Sequence, residues 1–176
     1  MKRRHKVLMA LCLGSLLAGG LFRWATWPKP VPTTVHVLVC PADRSNDPIS
    51  ELFRRYGSQQ PERLAWLVRR AAERYGLDPA LVAGVVVVES SARPDAISKC
   101  RARGLMQVRF AVWGRALMEQ GIAFAPLDLH DPHRGILAGC YVLRHYLDRH
   151  GDVRTALNAY SGGARGYADK VMGVTM

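Results

Sequence analysis

The chain has 176 residues, room for one domain and an N-terminal appendage. Lys and Arg number 25 against 14 Asp and Glu, giving a formal net charge of +11, while 49% of residues are hydrophobic, so disorder is excluded outside a linker. The basic residues are spread along the chain without a zinc-finger, RNP or P-loop pattern; they suit a polyanionic surface or a merely solvated face, and no nucleic-acid partner is expected.

In chain order, Lys2-Arg3-Arg4-His5-Lys6 precedes the mostly apolar run Val7 to Phe22, the arrangement of an export signal. At ~1.5 Å per residue that run covers about 24 Å, short of a ~30 Å hydrocarbon core. Residues 1–25 are therefore either a signal peptide, with Ala18-Gly19-Gly20 at the cleavage site, or a signal anchor with Arg23, Trp24 and Trp27 at the interface. Leu11-Cys12 lacks the small residues of a lipobox. Residues 26–47, punctuated by Pro28, Pro30, Pro32 and Pro41, read as an extended linker that holds one short candidate strand, Val35 to Val39.

From residue 48 a helical period takes over. Ile49, Leu52, Phe53 and Tyr56 share one face, as do Leu64, Leu67, Val68, Ala71, Ala72 and Tyr75, with Gly57 and Gly76 as stops. Asp78-Pro79 forms an N-cap and first position for a helix ending near Glu89, on which Val82, Val85, Val86 and Glu89 share a face. A loop from Ser91 to Arg103 follows, then a helix through Val112, Leu117 and Met118. Asp131-Pro132 opens another helix, through Ile136, Leu137, Tyr141, Leu143 and Leu147, which Gly151 stops; Val153 to Tyr160 and Tyr167 to Met172 complete an all-α set.

Glu89 stands after Val85-Val86-Val87-Val88, where burial favours a neutral, protonated carboxyl, the state of a general acid. Glu89-Ser90-Ser91, Ala96-Ile97-Ser98, Gly104-Leu105-Met106-Gln107-Val108, the segment from Asp131-Pro132, and Ala159-Tyr160-Ser161-Gly162-Gly163 occur in that order. Together they resemble the soluble lytic transglycosylase domain, related to goose-type lysozymes, over roughly residues 60 to 172. The resemblance implies a single lysozyme-like helical domain, residues 48–176. It makes Glu89 the single catalytic acid and base, and Ser98, Met106, Gln107, Tyr160 and Ser161 the substrate-binding set. The implied reaction cleaves the MurNAc-β-1,4-GlcNAc bond of peptidoglycan, with the muramyl C6 hydroxyl as nucleophile and 1,6-anhydromuramyl products. A hydrolytic muramidase on the same fold and a non-catalytic wall-binding module are the rival readings.

Departures from the family pattern fall at Ala92, where an aromatic is frequent, Arg101, where Gly is usual, Arg109-Phe110, where Met-Pro is usual, and Ser161, where Asn is commoner. They are expected on the groove. Ser98 has the alternative of capping a turn, Gln107 of tying down a loop, and Tyr160 of filling the core. Paired-carboxylate glycosidases hold their two acids ~5 to 9.5 Å apart; Asp95, in the loop, is the nearest candidate for a second one. Of four cysteines, Cys12 lies in the apolar run. Among Cys40, Cys100 and Cys140 an oxidising compartment allows one bridge, and Cys100 with Cys140 is the favoured pair. His130-Asp131-Pro132-His133 has a His-x-x-His spacing without a third ligand, and neither metal nor cofactor is assigned. The expected setting is the periplasm, with residues 7–22 as an inner-membrane anchor if uncleaved. The expected protein is a monomer acting on glycan strands; wall recycling, secretion or pilus assembly, and phage machinery all remain open.

Overall fold

The computed structural model describes residues 47–175. The export segment, the proline-rich linker, Val35 to Val39, Cys12 and Cys40 lie outside the described residues. Helices α1 (Pro48–Arg55), α2 (Pro61–Tyr75), α3 (Pro79–Ser90), α4 (Phe110–Glu119), α5 (Pro132–His150), α6 (Val153–Tyr160) and α7 (Tyr167–Thr175) follow in order, with one 3₁₀ turn at Pro126–His130. Among the described residues there are only two isolated β-bridges, Ile97 with Arg103 and Arg103 with Val108, so the all-α expectation holds. No helix among these residues is long and apolar enough to cross a membrane.

The helix ends follow local chemistry. Asp78 accepts from the Ala80 amide at 2.8 Å and Asp131 from the Arg134 amide at 2.9 Å, each just before the proline that opens its helix. Gly76 and Gly151 stop α2 and α5 in the left-handed region, at φ 59° and 78°. Helix α3 is the exception, because it ends on two non-glycine left-handed residues, Ser91 at φ 52° and Ala92 at φ 60°.

Helix α3 is the centre of the fold. Val82, Val85 and Val86 have no exposed surface. They lie in one core with Val68 and Ala72 of α2, Ile136 and Leu143 of α5 and Val171 of α7. An apolar run with no polar face is what a helix enclosed on all sides requires.

The segment between α3 and α4 is irregular but firmly tied. Arg103 and Val108 exchange backbone bonds at 3.1 Å each, and the Gly104 amide donates to the Ala96 carbonyl at 3.0 Å. Leu105 and Met106 drop into the core. Met106 fills the space over Gly139, where a β-carbon would lie 2.3 Å from its sulfur. Gly104 sits at φ 75°, where a β-carbon would meet the Leu129 carbonyl oxygen at 1.9 Å. Only glycine fits there.

Candidate active site

Glu89 occupies the last turn of α3 and is half-buried. Val85, Val86 and Val87 before it are enclosed and Val88 is partly buried, so the helix carries its carboxyl out of the core into a groove of about 470 Å³. The Tyr167 hydroxyl, at the start of α7, donates to Glu89 Oε1 at 2.6 Å. Burial raises the Glu89 pKa above the ordinary value of 4.5, and the Tyr167 bond only partly opposes it. Tyr167 is itself pushed up, by burial first, then by the Glu89 charge and their shared bond, so it remains a donor throughout the physiological range. With Oε1 accepting from Tyr167, a protonated Glu89 carries its proton on Oε2.

The resemblance gives Tyr160 a substrate-binding role, with filling of the core as its alternative. Tyr160 does line the groove, but its hydroxyl donates to the Met106 carbonyl at 2.7 Å and leaves Glu89 to Tyr167. Burial above all, then the Glu89 charge, keeps that hydroxyl protonated. Tyr167 was legible only as a helical residue. Its place seven residues beyond Tyr160, at the start of the closing helix, is the one signal that marks it.

The other expected residues divide by which of their atoms are engaged. Ser98 and Gln107 line the groove with Glu89. Ser98 Oγ accepts from the Ala102 amide at 3.0 Å, which leaves its own proton to donate. Gln107, held at φ 48°, gives its amide nitrogen to the carbonyls of Ala96 at 3.1 Å and Gly104 at 2.9 Å, which leaves its side-chain oxygen as an acceptor. Both therefore do the loop work foreseen as their alternative role and still present one polar function to the groove. Ser161 lines the groove too, while its hydroxyl donates to the Asn158 carbonyl at 2.8 Å and accepts from the Ala164 amide at 3.1 Å, fastening the turn before α7. Met106 does not line the groove; its side chain has no exposed surface, and only its carbonyl serves, as the acceptor for Tyr160.

Other expectations change as well. Cys100 and Cys140 are separate thiols: Cys100 is exposed at the groove, while Cys140 is enclosed in the core, where burial raises its pKa. The period of α5 turns Cys140 inward among the core side chains, away from the surface loop that carries Cys100. Ala92 and Asp95 line a different concavity of about 500 Å³, beside Leu64, Leu67 and Leu105, so neither belongs to the groove of Glu89. Among the described residues Glu89 is the one carboxylate lining that groove. Of the remaining departures, Arg109 lines the groove, whereas Phe110 packs against the core and Arg101 stands exposed outside the groove lining at φ 59°, a strained setting for a residue with a β-carbon. His130 is a strut: its Nδ1 lies 3.1 Å from the Pro94 carbonyl and its Nε2 3.1 Å from Arg103, tying the loop to the 3₁₀ turn. Ser90, which the sequence motif includes without a role of its own, directs its buried hydroxyl at the Val86 carbonyl (3.0 Å) and the Leu105 carbonyl (2.9 Å), joining α3 to the loop that carries Gln107.

The geometry has counterparts among known proteins. The chain is similar to the "Transglycosylase" of Enterobacteria phage PRD1, 44% identical over 93 residues, which are 53% of this chain and 32% of that protein. It is similar to the "Membrane-bound lytic murein transglycosylase C" of Haemophilus ducreyi, 38% identical over 109 residues, 56% of this chain and 30% of the relative. The protein of that same name from Haemophilus influenzae (strain PittGG) is 42% identical over 89 residues, 47% of this chain and 25% of its own. The chain thus spans about a third or less of the length of these relatives. The family model described as the transglycosylase SLT domain matches residues 66–172, from within α2 to within α7, and so takes in Glu89, the tied loop and Tyr167 together. With that match extending over most of the described residues, the chain belongs to the transglycosylase SLT domain family.

Proposed function

We propose that this chain is a peptidoglycan lytic transglycosylase in which Glu89 serves as both acid and base. The protonated carboxyl gives its proton to the oxygen between MurNAc and GlcNAc as the C1–O bond breaks. The muramyl C6 hydroxyl then closes on C1, and its proton returns to Glu89. No water enters the sum, and the products are a free GlcNAc 4-hydroxyl and a 1,6-anhydromuramyl end. The observation that carries this reading is the half-buried Glu89, raised in pKa, held through one oxygen by Tyr167, and standing in its groove without a second carboxylate among the described residues. Ordinary retaining and inverting glycosidases place two acids across the bond. Here the substrate's own hydroxyl takes the second role. Ser98 would donate to, and Gln107 accept from, the sugar bound beside the acid. The names of the relatives, two of them membrane-bound murein transglycosylases, support both the substrate and an envelope setting. Residues 48–176 would carry the reaction on the periplasmic side, exported by residues 1–25 and held at the inner membrane by residues 7–22 if these are retained.

Mass spectrometry of products from purified peptidoglycan tests the proposal. The expected muropeptides are lighter by one water than hydrolysed ones and resist borohydride. A dominant yield of reducible ends, with Glu89 still required, would replace intramolecular attack by hydrolysis. Wall binding without any cleavage would leave a recognition module.

A further inference from the structure

The groove contains two side chains that the acid and its loop do not use. Trp113 of α4 and Tyr146 of α5 both line it and are both half-buried. Their rings meet edge to face, with centroids 5.9 Å apart and planes at 78°. Each is held from behind. Trp113 abuts His145 at 5.0 Å and Tyr141 at 6.3 Å, both edge to face, while Tyr146 is stacked on His150 at 6.3 Å and 19° and abuts Tyr160 at 6.3 Å. Aromatic rings gripped in this way have little rotational freedom left to lose on binding.

A purely structural cluster would close its faces against the core, as Leu143 and Leu157 do with no exposed surface. Here Trp113 and Tyr146 open instead into the concavity that holds Glu89, beside Val112 and Val142. Rigid apolar walls carrying a few polar groups are the usual make-up of a small-molecule subsite. The ring series also has a direction. From Trp113 it steps to Tyr146 and on to Tyr160, whose hydroxyl is bonded to the Met106 carbonyl beside Gln107. It therefore runs along the wall of the groove from α4 through α5 to α6. A pyranose presents a face of C–H groups and a rim of hydroxyls, and it matches such a wall better than a peptide or an ion does.

We propose that Trp113 and Tyr146 form a sugar-stacking shelf, which holds a pyranose ring of the strand lying in the groove of Glu89. This rests on the glycan-cleaving reading above and assigns to it two positioning residues. Contact at the shelf helps place strands long enough to supply a ring there and adds nothing for shorter ones.

The test uses the full chain with peptide-free glycan strands of defined length as the probe. In the Glu89→Gln background, strands should alter tryptophan fluorescence, and Trp113→Leu and Tyr146→Leu should each weaken binding about tenfold, the scale of one lost aromatic contact. With Glu89 intact, the same substitutions should raise KM on long strands more than they lower kcat, and spare strands too short to reach the shelf. Trp113→Phe should retain most of the affinity and also serves if Trp113→Leu does not fold. Equal loss on short and long strands, or unaltered KM and binding in folded variants, would overturn the shelf. Length-dependent binding through Trp113 by a protein that never cleaves would uphold the shelf and overturn the reaction.

Discussion

The carboxyl of Glu89 is pulled two ways: burial favours its neutral form, and the Tyr167 hydroxyl, 2.6 Å from Oε1, favours its charge. Because burial prevails, the folded pKa lies above that of the unfolded chain. Below the ordinary value of 4.5 both states are protonated and Glu89 does no harm to stability. As pH rises from there through the folded pKa, the unfolded chain ionises first and stability is lost. Glu89→Gln keeps the shape and the acceptor for Tyr167 while removing the charge. It should lower wall lysis by at least ~10²-fold. It should also unfold at a higher temperature than wild type at pH 7, an advantage that vanishes below pH 4.5. Calorimetry at the two pH values checks this, and a mutant no more stable than wild type at pH 7 would contradict the burial argument. Tyr167→Phe removes the one group that lowers the Glu89 pKa. Its kcat should fall, and the alkaline limb of its pH profile should move upward; a downward move would show that Tyr167 acts in some other way.

At the scale of elements, two left-handed glycines separate local from tertiary causes. Gly76 meets nothing within 4 Å of an added β-carbon, whereas at Gly104 that atom would lie 1.9 Å from the Leu129 carbonyl oxygen. Gly76→Ala should therefore cost about 1 kcal/mol from backbone strain alone. Gly104→Ala should exceed about 3 kcal/mol or fail to fold, since strain and collision act together. Denaturant titration of both measures the difference. The same division explains what could be read beforehand. Asp78-Pro79, Asp131-Pro132, Gly76 and Gly151 declare helix ends through contacts within a few residues, and those ends lie where the pattern places them. The Tyr167 bond spans 78 residues and exists only because α7 packs against α3, so no neighbouring residue announces it. Cys100 and Cys140 failed as a pair for a related reason. Proximity along a motif order says nothing of which side of α5 a thiol faces. Ser98 and Gln107 were legible as groove residues, but the carbonyls that occupy the Gln107 amide became visible only with the loop folded.

Across the whole molecule, α1 is moored to α2 by the residue that caps its start. Asp47, almost without exposed surface, accepts from Ser50 Oγ at 3.1 Å and pairs with Arg69. Burial would raise its pKa, but the bonds from Arg69 and Ser50 and the Arg69 charge outweigh it, and the net shift is downward. Such a group adds stability above its unfolded pKa and surrenders it as pH falls through the folded value. Asp47→Asn should thus lower the melting temperature at pH 7 and match wild type in acid; an equal deficit at both pH values would place the effect elsewhere. The site itself has no comparable freedom. The strand of residues from Arg103 to Val108 is pinned by its own backbone bonds, by Leu129 pressed against Gly104, and by Met106 seated over Gly139. Its motions are then slaved to those of α5, a matter of time as much as of shape. In deuterated water the amides of Arg103, Gly104 and Val108 should exchange as slowly as those in the middle of α3, by global opening. Binding a glycan should leave their rates relative to α3 unchanged, as expected of a groove that is ready before its substrate arrives.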